Sequence, residues 1–480
     1  MIKISVSASR KYNVIMEKGA LAKAGSFLAE AGIVSGAPLK QASEEVPRQA
    51  SEEIPNPAPI KINSNPAVTS AAPDKVHHGD KTAGPQGGRK LCIVTDKNVA
   101  PLYGSADGAL WKSLTDAGFE LYTFVFEGGE KTKTLDTLAE LLNFLADSRF
   151  TRSDILAALG GGIVGDVTGF AAASYLRGVE YIQIPTTLLA IVDSSVGGKT
   201  GVNLNAGKNL AGAFWQPSLV LFDPDVLRTL SYDTTLDGIA EAVKSGFIAD
   251  SDIIDMAAEY TAGAGVSSIP SEPAEAHAAE LHVGTPAAEP HAAGAPAENP
   301  AAEMPAVRVS AKASPAGIPE TFPESDFPFL TRLAAKAVNV KRAIVEEDER
   351  ESGCRQLLNF GHTPAHAIEK CSDYGISHGH AVAAGMVIVS AAADALGWTK
   401  EKCAGPLLNI LQQFRFPLQC PYTPEELTAA ALQDKKIRGS QITLVIPERP
   451  GRCTLKTIET GDLQQFITCG LEAMRDLQSE

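Results

Sequence analysis

The chain lacks an excess of basic residues: 42 Lys and Arg stand against 57 Asp and Glu in 480 positions, a formal net charge of −15. A surface that tracks nucleic-acid phosphates carries the opposite balance, so no nucleic-acid partner is expected. Anionic small molecules are not excluded, because a few cations in one cleft bind them whatever the net charge. Long hydrophobic runs are missing too. The longest, Ala381 to Ala393, is broken by Gly385 and Ser390 and stopped by Asp394, well short of the ~20 residues that a membrane span needs. The N-terminal M-I-K-I-S-V-S-A-S-R-K-Y alternates apolar and polar residues and offers no apolar core of a signal peptide, so neither secretion nor membrane attachment is expected. No C-x-x-C pair occurs among the seven cysteines, Cys92, Cys354, Cys371, Cys403, Cys420, Cys453 and Cys469. That odd, scattered set excludes a disulfide framework and reads as reduced thiols of a cytoplasmic protein.

Aromatic residues are few, and where they vanish the composition changes. Residues 36–88 hold 8 prolines and no aromatic, with a tandem Q-A-S-E-E-V-P-R, Q-A-S-E-E-I-P from Gln41. Residues 261–325 hold 18 alanines, 10 prolines and a single aromatic, Phe322. Neither segment buries enough apolar surface to offset its chain entropy, and both are expected to be disordered insertions. The rest begins with short β-rich runs separated by helical stretches: from Leu91, Leu121, Asp154, Tyr181 and Leu219. Strands alternating with helices predict a parallel α/β sheet. After Asp233 long Ala- and Leu-rich periodic segments predict packed helices. The expected plan is an α/β Rossmann-like domain over 1–232, a mainly α-helical domain over 233–480, and a ligand cleft between them.

Several strings within this plan carry chemistry. Gly160, Gly162 and Gly165, after the strand D-I-L-A-A-L, fit G-x-G-x-x-G, a turn that brings backbone N–H groups to a diphosphate. The acidic ribose partner about 20 residues downstream is missing, so the string alone is equally well a glycine-rich strand-to-helix turn. V-G-G-K-T resembles the end of a P-loop, but Asp193 stands where that motif needs Gly, which disfavours an ATPase. Five of the nine histidines fall in the two insertions, where a site is not expected. The other four, His362 and His366 at i, i+4 and His378 and His380 in S-H-G-H, offer nitrogen donors suited to zinc. Any one of them is as readily a capping or core histidine. Glu241 and Lys244, at i, i+3 in the apolar helix G-I-A-E-A-V-K-S-G, read either as an intrahelical ion pair or as a metal ligand beside a substrate-binding cation. Lys341, Arg355, Lys435 and Lys436 would ordinarily be solvated, although a guanidinium seven residues before His362 suits a carboxylate or phosphate.

Together these strings resemble the 3-dehydroquinate synthase family of sugar-phosphate cyclases. The resemblance is carried by G-E-K-T-K at Gly129, G-G-G-I-V-G-D at Gly160, L-R-G-V at Leu176, I-P-T-T-L-L-A-I-V-D-S-S-V-G-G-K-T at Ile184, and G-K-N-L-A-G-A-F-W-Q-P at Gly207. It continues through A-E-A-V-K-S-G at Ala240, D-E-R at Asp348, L-L-N-F-G-H at Leu357 and H-G-H-A-V-A-A-G-M at His378. It implies conversion of 3-deoxy-D-arabino-heptulosonate 7-phosphate to 3-dehydroquinate and phosphate, with catalytic NAD and a divalent metal, zinc or cobalt. The implied metal ligands are Glu241, His362 and His378, with His366 a polar contact to substrate. NAD would be held by Asp96, Asn98, Gly128, Gly129, Glu130, Lys131, Thr132, Lys133, Gly162, Ile163, Val164, Gly165, Asp166, Thr186, Thr187, Lys199, Lys208, Val226, Leu227, Arg228 and Thr229. Substrate would meet Asp193, Lys199, Lys244, Lys341, Arg355, Asn359 and one of Lys435 or Lys436, with Arg177 supplied across a homodimer interface. One departure is that His380 stands where the family commonly has Glu, which adds a fourth potential nitrogen ligand. Two rival readings are a metal-dependent polyol dehydrogenase of the glycerol dehydrogenase kind and a cyclase making another carbocycle. A third is a silent NAD-binding scaffold. A neutral polyol needs no cluster of anion-binding Lys and Arg, which favours the dehydroquinate reading over the first.

Overall fold

The computed structural model describes residues 1–34, 88–263, 319–433 and 440–479. Most of the two expected insertions, and both Lys435 and Lys436, lie outside the described residues. Eleven strands are described: β1 (Ile2–Ser7), β2 (Lys11–Met16), β3 (Lys90–Asp96), β4 (Glu120–Phe126), β5 (Ile155–Gly160), β6 (Glu180–Pro185), β7 (Lys199–Leu204), β8 (Gly207–Phe214), β9 (Leu219–Phe222), β10 (Gln441–Arg449) and β11 (Arg452–Glu459). The helices before the second gap are α1 (Ala24–Glu30), α2 (Ala100–Tyr103), α3 (Ala109–Asp116), α4 (Leu135–Asp147), α5 (Gly162–Ser174), α6 (Tyr232–Ala249) and α7 (Ser251–Ala262). Those after it are α8 (Phe327–Glu347), α9 (His362–Cys371), α10 (His378–Ala395), α11 (Ala404–Gln413), α12 (Pro424–Ala431) and α13 (Leu463–Ser479).

Seven strands form one sheet in the order β1-β2-β9-β6-β5-β3-β4, parallel except that β1 runs antiparallel to β2. Every residue of β5, β6 and β9 is buried, and β5 and β9 accordingly read as unbroken apolar runs and not as alternating ones. Along β3, Leu91 and Ile93 join one body of buried side chains and Cys92 and Val94 another. The sheet is therefore covered on both faces. The first of these bodies continues without a break into the helical part, through α6, α8 and α10.

Three features differ from the sequence expectation. The alternating N-terminus folds as the β1–β2 hairpin on the sheet edge. The helical part carries a second hairpin, β10–β11. The margins of the second insertion are ordered: Phe322 is buried and stacks on Tyr232 at a centroid distance of 4.4 Å, and the Tyr232 N–H donates to the Glu320 carbonyl at 2.8 Å. A single aromatic is enough to anchor that margin, because one ring buries as much area as several alanines. All seven cysteines are free, and no described helix is long and apolar enough to cross a membrane.

Candidate active site

Glu241, His362 and His378, far apart in sequence, are brought together so that one ligand atom of each lies within 4.8 Å of the others. Glu241 sits in mid-helix on α6, whereas each imidazole is the first residue of its helix. Gly361, with φ of 77°, supplies the left-handed turn that aims His362 inward. Glu241 Oε1 is buried without a hydrogen bond and lies 3.3 Å from His378 Nε2 and 3.8 Å from His362 Nε2. A buried anionic oxygen left in this state is costly unless a cation completes it. The remaining ring nitrogens are already engaged. His362 Nδ1 lies 3.1 Å from the Phe360 carbonyl, and His378 Nδ1 lies 3.6 Å from Glu369 Oε1. Carboxylate and carbonyl groups behind metal-binding imidazoles orient them in this way. One oxygen and two nitrogens, with His378 half-open to the cleft, form a donor set suited to a divalent cation with a free position for substrate.

His366, one turn beyond His362, is not in this group. Its ring centroid lies 5.4 Å from that of His362 and 6.4 Å from that of His378. His380 is not there either, and the fourth nitrogen ligand that the sequence offered is corrected: its Nδ1 faces Asp237 Oδ1 at 2.9 Å. The helical path decides this, because His378 and His380 are two residues apart and leave α10 on different faces.

Beside the triad lies a buried set of charges. Lys244 Nζ is paired with Glu241 Oε2, and both side chains are almost wholly inaccessible. Lys341 Nζ donates to Asp193 Oδ1 at 2.7 Å and to the Asp193 carbonyl at 2.6 Å, at the π-helical turn Ala190–Ser194. Burial raises the Asp193 carboxyl, but Lys341 and Lys244 outweigh it and hold it well below the usual range. Burial lowers the Lys341 ammonium, with Arg355 and Lys244 adding to the effect against Asp193. Burial also lowers Lys244, yet Glu241 and Asp193 carry it above its ordinary value. Arg355 is fully buried. Its Nη2 donates to the Gly197 carbonyl at 2.9 Å and its Nη1 to the Glu349 carbonyl, while Nε has no hydrogen-bond partner. The guanidinium is thus clamped by backbone at both Nη atoms, with Nε unpartnered. Lys199 and Asn359 converge on Glu351, at 2.6 and 3.0 Å. Sequence reasoning missed Glu351, since a carboxylate in a D-E-R-E run reads as solvated surface, although its φ of 61° marks a held position.

The strand ends supply the other wall. Asp96 closes β3, and its Oδ1 accepts the N–H groups of Asn98 and Val99 at 2.8 and 3.0 Å. A Cβ on Gly128 would meet the Asp96 side chain at 2.9 Å, which places the Gly128–Thr132 turn against it. Gly162 begins α5, Thr187 lies beside Gly161, and Thr186 N–H donates to the Gly160 carbonyl at 3.0 Å. Ile163, Val164 and Gly165 form the first turn of α5, while Lys133 Nζ bridges Asp166 and Asn209, each at 2.5 Å. Lys208 pairs with Glu369 at 3.1 Å beneath the Tyr374 ring. Thr229 meets the Tyr103 hydroxyl at 2.8 Å next to Val226 and Leu227. Lys131 is exposed, and Arg228 turns outward to Glu324. Arg177, exposed with φ of 67°, follows the far end of α5 and lies away from this chain's own cleft.

Models of two domains match the chain: 3-dehydroquinate synthase N-terminal over residues 123–237 and 3-dehydroquinate synthase C-terminal over 319–437. The 3-dehydroquinate synthase of Enterococcus faecalis is 36% identical over 382 residues, covering 79% of this chain and 89% of the relative. The chain belongs to the 3-dehydroquinate synthase family. Solved structures share its fold. The 2-epi-5-epi-valiolone synthase of Streptomyces hygroscopicus subsp. jinggangensis, with NAD+ and Zn2+ bound, superposes with a TM-score of 0.62 at 24% identity, over 81% of this chain and 91% of that one. A 2-deoxy-scyllo-inosose synthase complexed with carbaglucose-6-phosphate, NAD+ and Co2+ gives 0.64 at 19%, over 97% of this chain and 99% of that one. Membership makes this chain an enzyme, a phosphorus–oxygen lyase of the shikimate pathway that depends on NAD and a divalent metal. The polyol dehydrogenase alternative is not favoured.

Proposed function

We propose that Glu241, His362 and His378 hold the divalent cation, zinc or cobalt, and that Lys244, Lys341, Arg355, Lys199 and Asn359 hold the heptulosonate phosphate beside it. The observation that carries this reading is the buried, hydrogen-bond-free Glu241 Oε1 facing two imidazoles next to two buried ammonium groups. A substrate with two anionic groups, a carboxylate and a phosphate, entering that cleft exchanges its hydration for fixed cations, and burying it without them would cost several kcal/mol. When bound, NAD takes up and returns a hydride at the substrate's alcohol carbon, and the cation stabilises negative charge on that alcohol's oxygen. The chain's own part is placement. Asp193 fixes the Lys341 ammonium, the carbonyls of Gly197 and Glu349 fix Arg355 with Nε free to donate, and the α5 N-terminus receives the dinucleotide phosphates. Glu351 couples Lys199 and Asn359, so those two donors become available to substrate together. A homodimer in the cytoplasm completes the reading, with Arg177 reaching the partner's cleft.

The test is turnover of the heptulosonate phosphate with catalytic NAD, scored for phosphate and dehydroquinate. Product in many-fold excess over NAD supports the reading. NADH accumulating from a neutral polyol in proportion to NAD+ supplied would replace it with the dehydrogenase.

A further inference from the structure

Helix α10 starts without a side-chain cap from its own Ser377. One first-turn N–H, that of His380, goes to another helix instead. Asp237 Oδ1, on α6, accepts the His380 backbone N–H at 3.1 Å, the Ser377 hydroxyl at 2.5 Å and the His380 Nδ1–H at 2.9 Å. Ser377 Oγ lies 2.7 Å from the same ring nitrogen. The helices touch at this point, since a Cβ on Gly379 would stand 2.2 Å from the Asp237 Cα. The His380 ring is held from the far side by Phe416, at a centroid distance of 5.4 Å. Asp237 stands one turn before Glu241 on α6, and His378 lies between Ser377 and His380 on α10.

We propose that Asp237 is a positioning residue of the metal centre. By capping α10 from α6 it sets the separation of Glu241 and His378, whose facing atoms are 3.3 Å apart. His380 is the donor half of this clamp. A carboxylate at 380 would face the Asp237 carboxylate within hydrogen-bond distance, where like charges repel. Positions 237 and 380 therefore form a matched acceptor and donor, and the two roles are exchangeable between them.

The inference rests on Glu241, His362 and His378 binding the cation, and zinc affinity, read by competition with a chromophoric chelator on the full chain, tests it. D237A is expected to bind zinc roughly 10- to 100-fold more weakly than the parent, the scale on which outer contacts act, with NAD affinity unchanged. H380E is expected to weaken zinc in the same sense, and D237N/H380E, which restores an N–H donor opposite a carboxylate, to recover to within a few-fold of the parent. H380A, a milder change, is expected to weaken zinc even if D237A folds poorly. Parent-like zinc affinity in D237A or H380A overturns the clamp, including the case in which D237A merely melts lower without metal. A double variant no better than H380E overturns the exchange of roles. A parent that binds no zinc, or E241Q binding it as well as the parent, defeats the metal assignment itself.

Discussion

Lys244 puts a positive charge where a second one has to come. Its Nζ pairs with Glu241 Oε2, the carboxylate whose other oxygen faces the imidazoles. With a cation bound as proposed, it and the ammonium would share one ligand and repel each other through it. Truncating Lys244 removes that repulsion, so K244A is expected to bind zinc roughly tenfold more tightly, about 1.4 kcal/mol. The same variant loses a cation proposed to hold the substrate, and transition-state stabilisation read from kcat/KM is expected to fall by about 2–4 kcal/mol. Chelator competition and steady-state kinetics on one preparation check both. A variant with weaker zinc binding would show that Lys244 supports the site through packing. Residue chemistry also explains why the triad was only partly legible. His362 and His366 share a helical face, and spacing alone pairs them, yet the fold brings His378 from another helix beside His362 and Glu241. Sequence spacing reports which side chains share a face, not which helix ends converge.

At the scale of elements, the loop after α8 delivers Arg355. Asp348 accepts the N–H groups of Ser352, Gly353 and Arg355 at 2.9, 2.7 and 3.0 Å. Burial raises its carboxyl, but these bonds prevail and hold it at about 2. An unfolded aspartate titrates near 3.9, so the unfolded chain binds more protons in this window and stability rises with pH across it. The contribution is complete above about pH 4 and lost as pH falls toward 2. D348N is expected to melt lower than the parent at pH 7 and to show a shallower loss of Tm between those values. A parallel decline in both would exclude the loop from acid sensitivity. The margin of the second insertion makes a related case. Removing 261–325 takes away Phe322 and its stack on Tyr232, a loss of about 3–5 kcal/mol by analogy with other buried Phe truncations. Removing only 264–318 with a Gly/Ser bridge is expected to leave Tm close to the parent's and turnover within a few-fold of it. Composition showed where the apolar content thins, but a single anchoring ring is too small a signal to set the boundary. Strands β5 and β9 were legible because burial on both faces makes them uniformly apolar. Spacing finds no acidic ribose partner downstream of the glycine turn, and Asp96, which the family resemblance assigns to NAD, lies upstream of it. Strands β3 and β5 are neighbours, with Val94 opposite Ala158, and sheet order, not chain order, brings their ends together.

For the whole molecule the informative residue is Arg177, because its own fold carries it away from the site. The 13 residues of α5 run from Gly162 at the cleft to Ser174, about 20 Å at the rise of an α-helix. The chain then turns through two successive left-handed residues, Leu176 and Arg177, both exposed. Non-glycine residues adopt that conformation at a cost, so a pair of them at a surface turn marks a position held for a purpose. If Arg177 serves a second copy of the chain, each cleft combines one protomer's Glu241 with its partner's arginine. R177A and E241Q are then complementary. Each variant alone is expected to be nearly inactive. In a dimer of one of each, the cleft on the R177A protomer has its own Glu241 and an intact arginine from the partner, whereas the other cleft has neither. Random reassociation of equal amounts makes half of all dimers mixed, each with one working cleft of two, so activity is expected to recover to about a quarter of the parent. Mixing is done after dissociation in mild denaturant and scored by phosphate release. Recovery near that fraction requires a shared site, and no recovery above the separate variants would place Arg177 outside it.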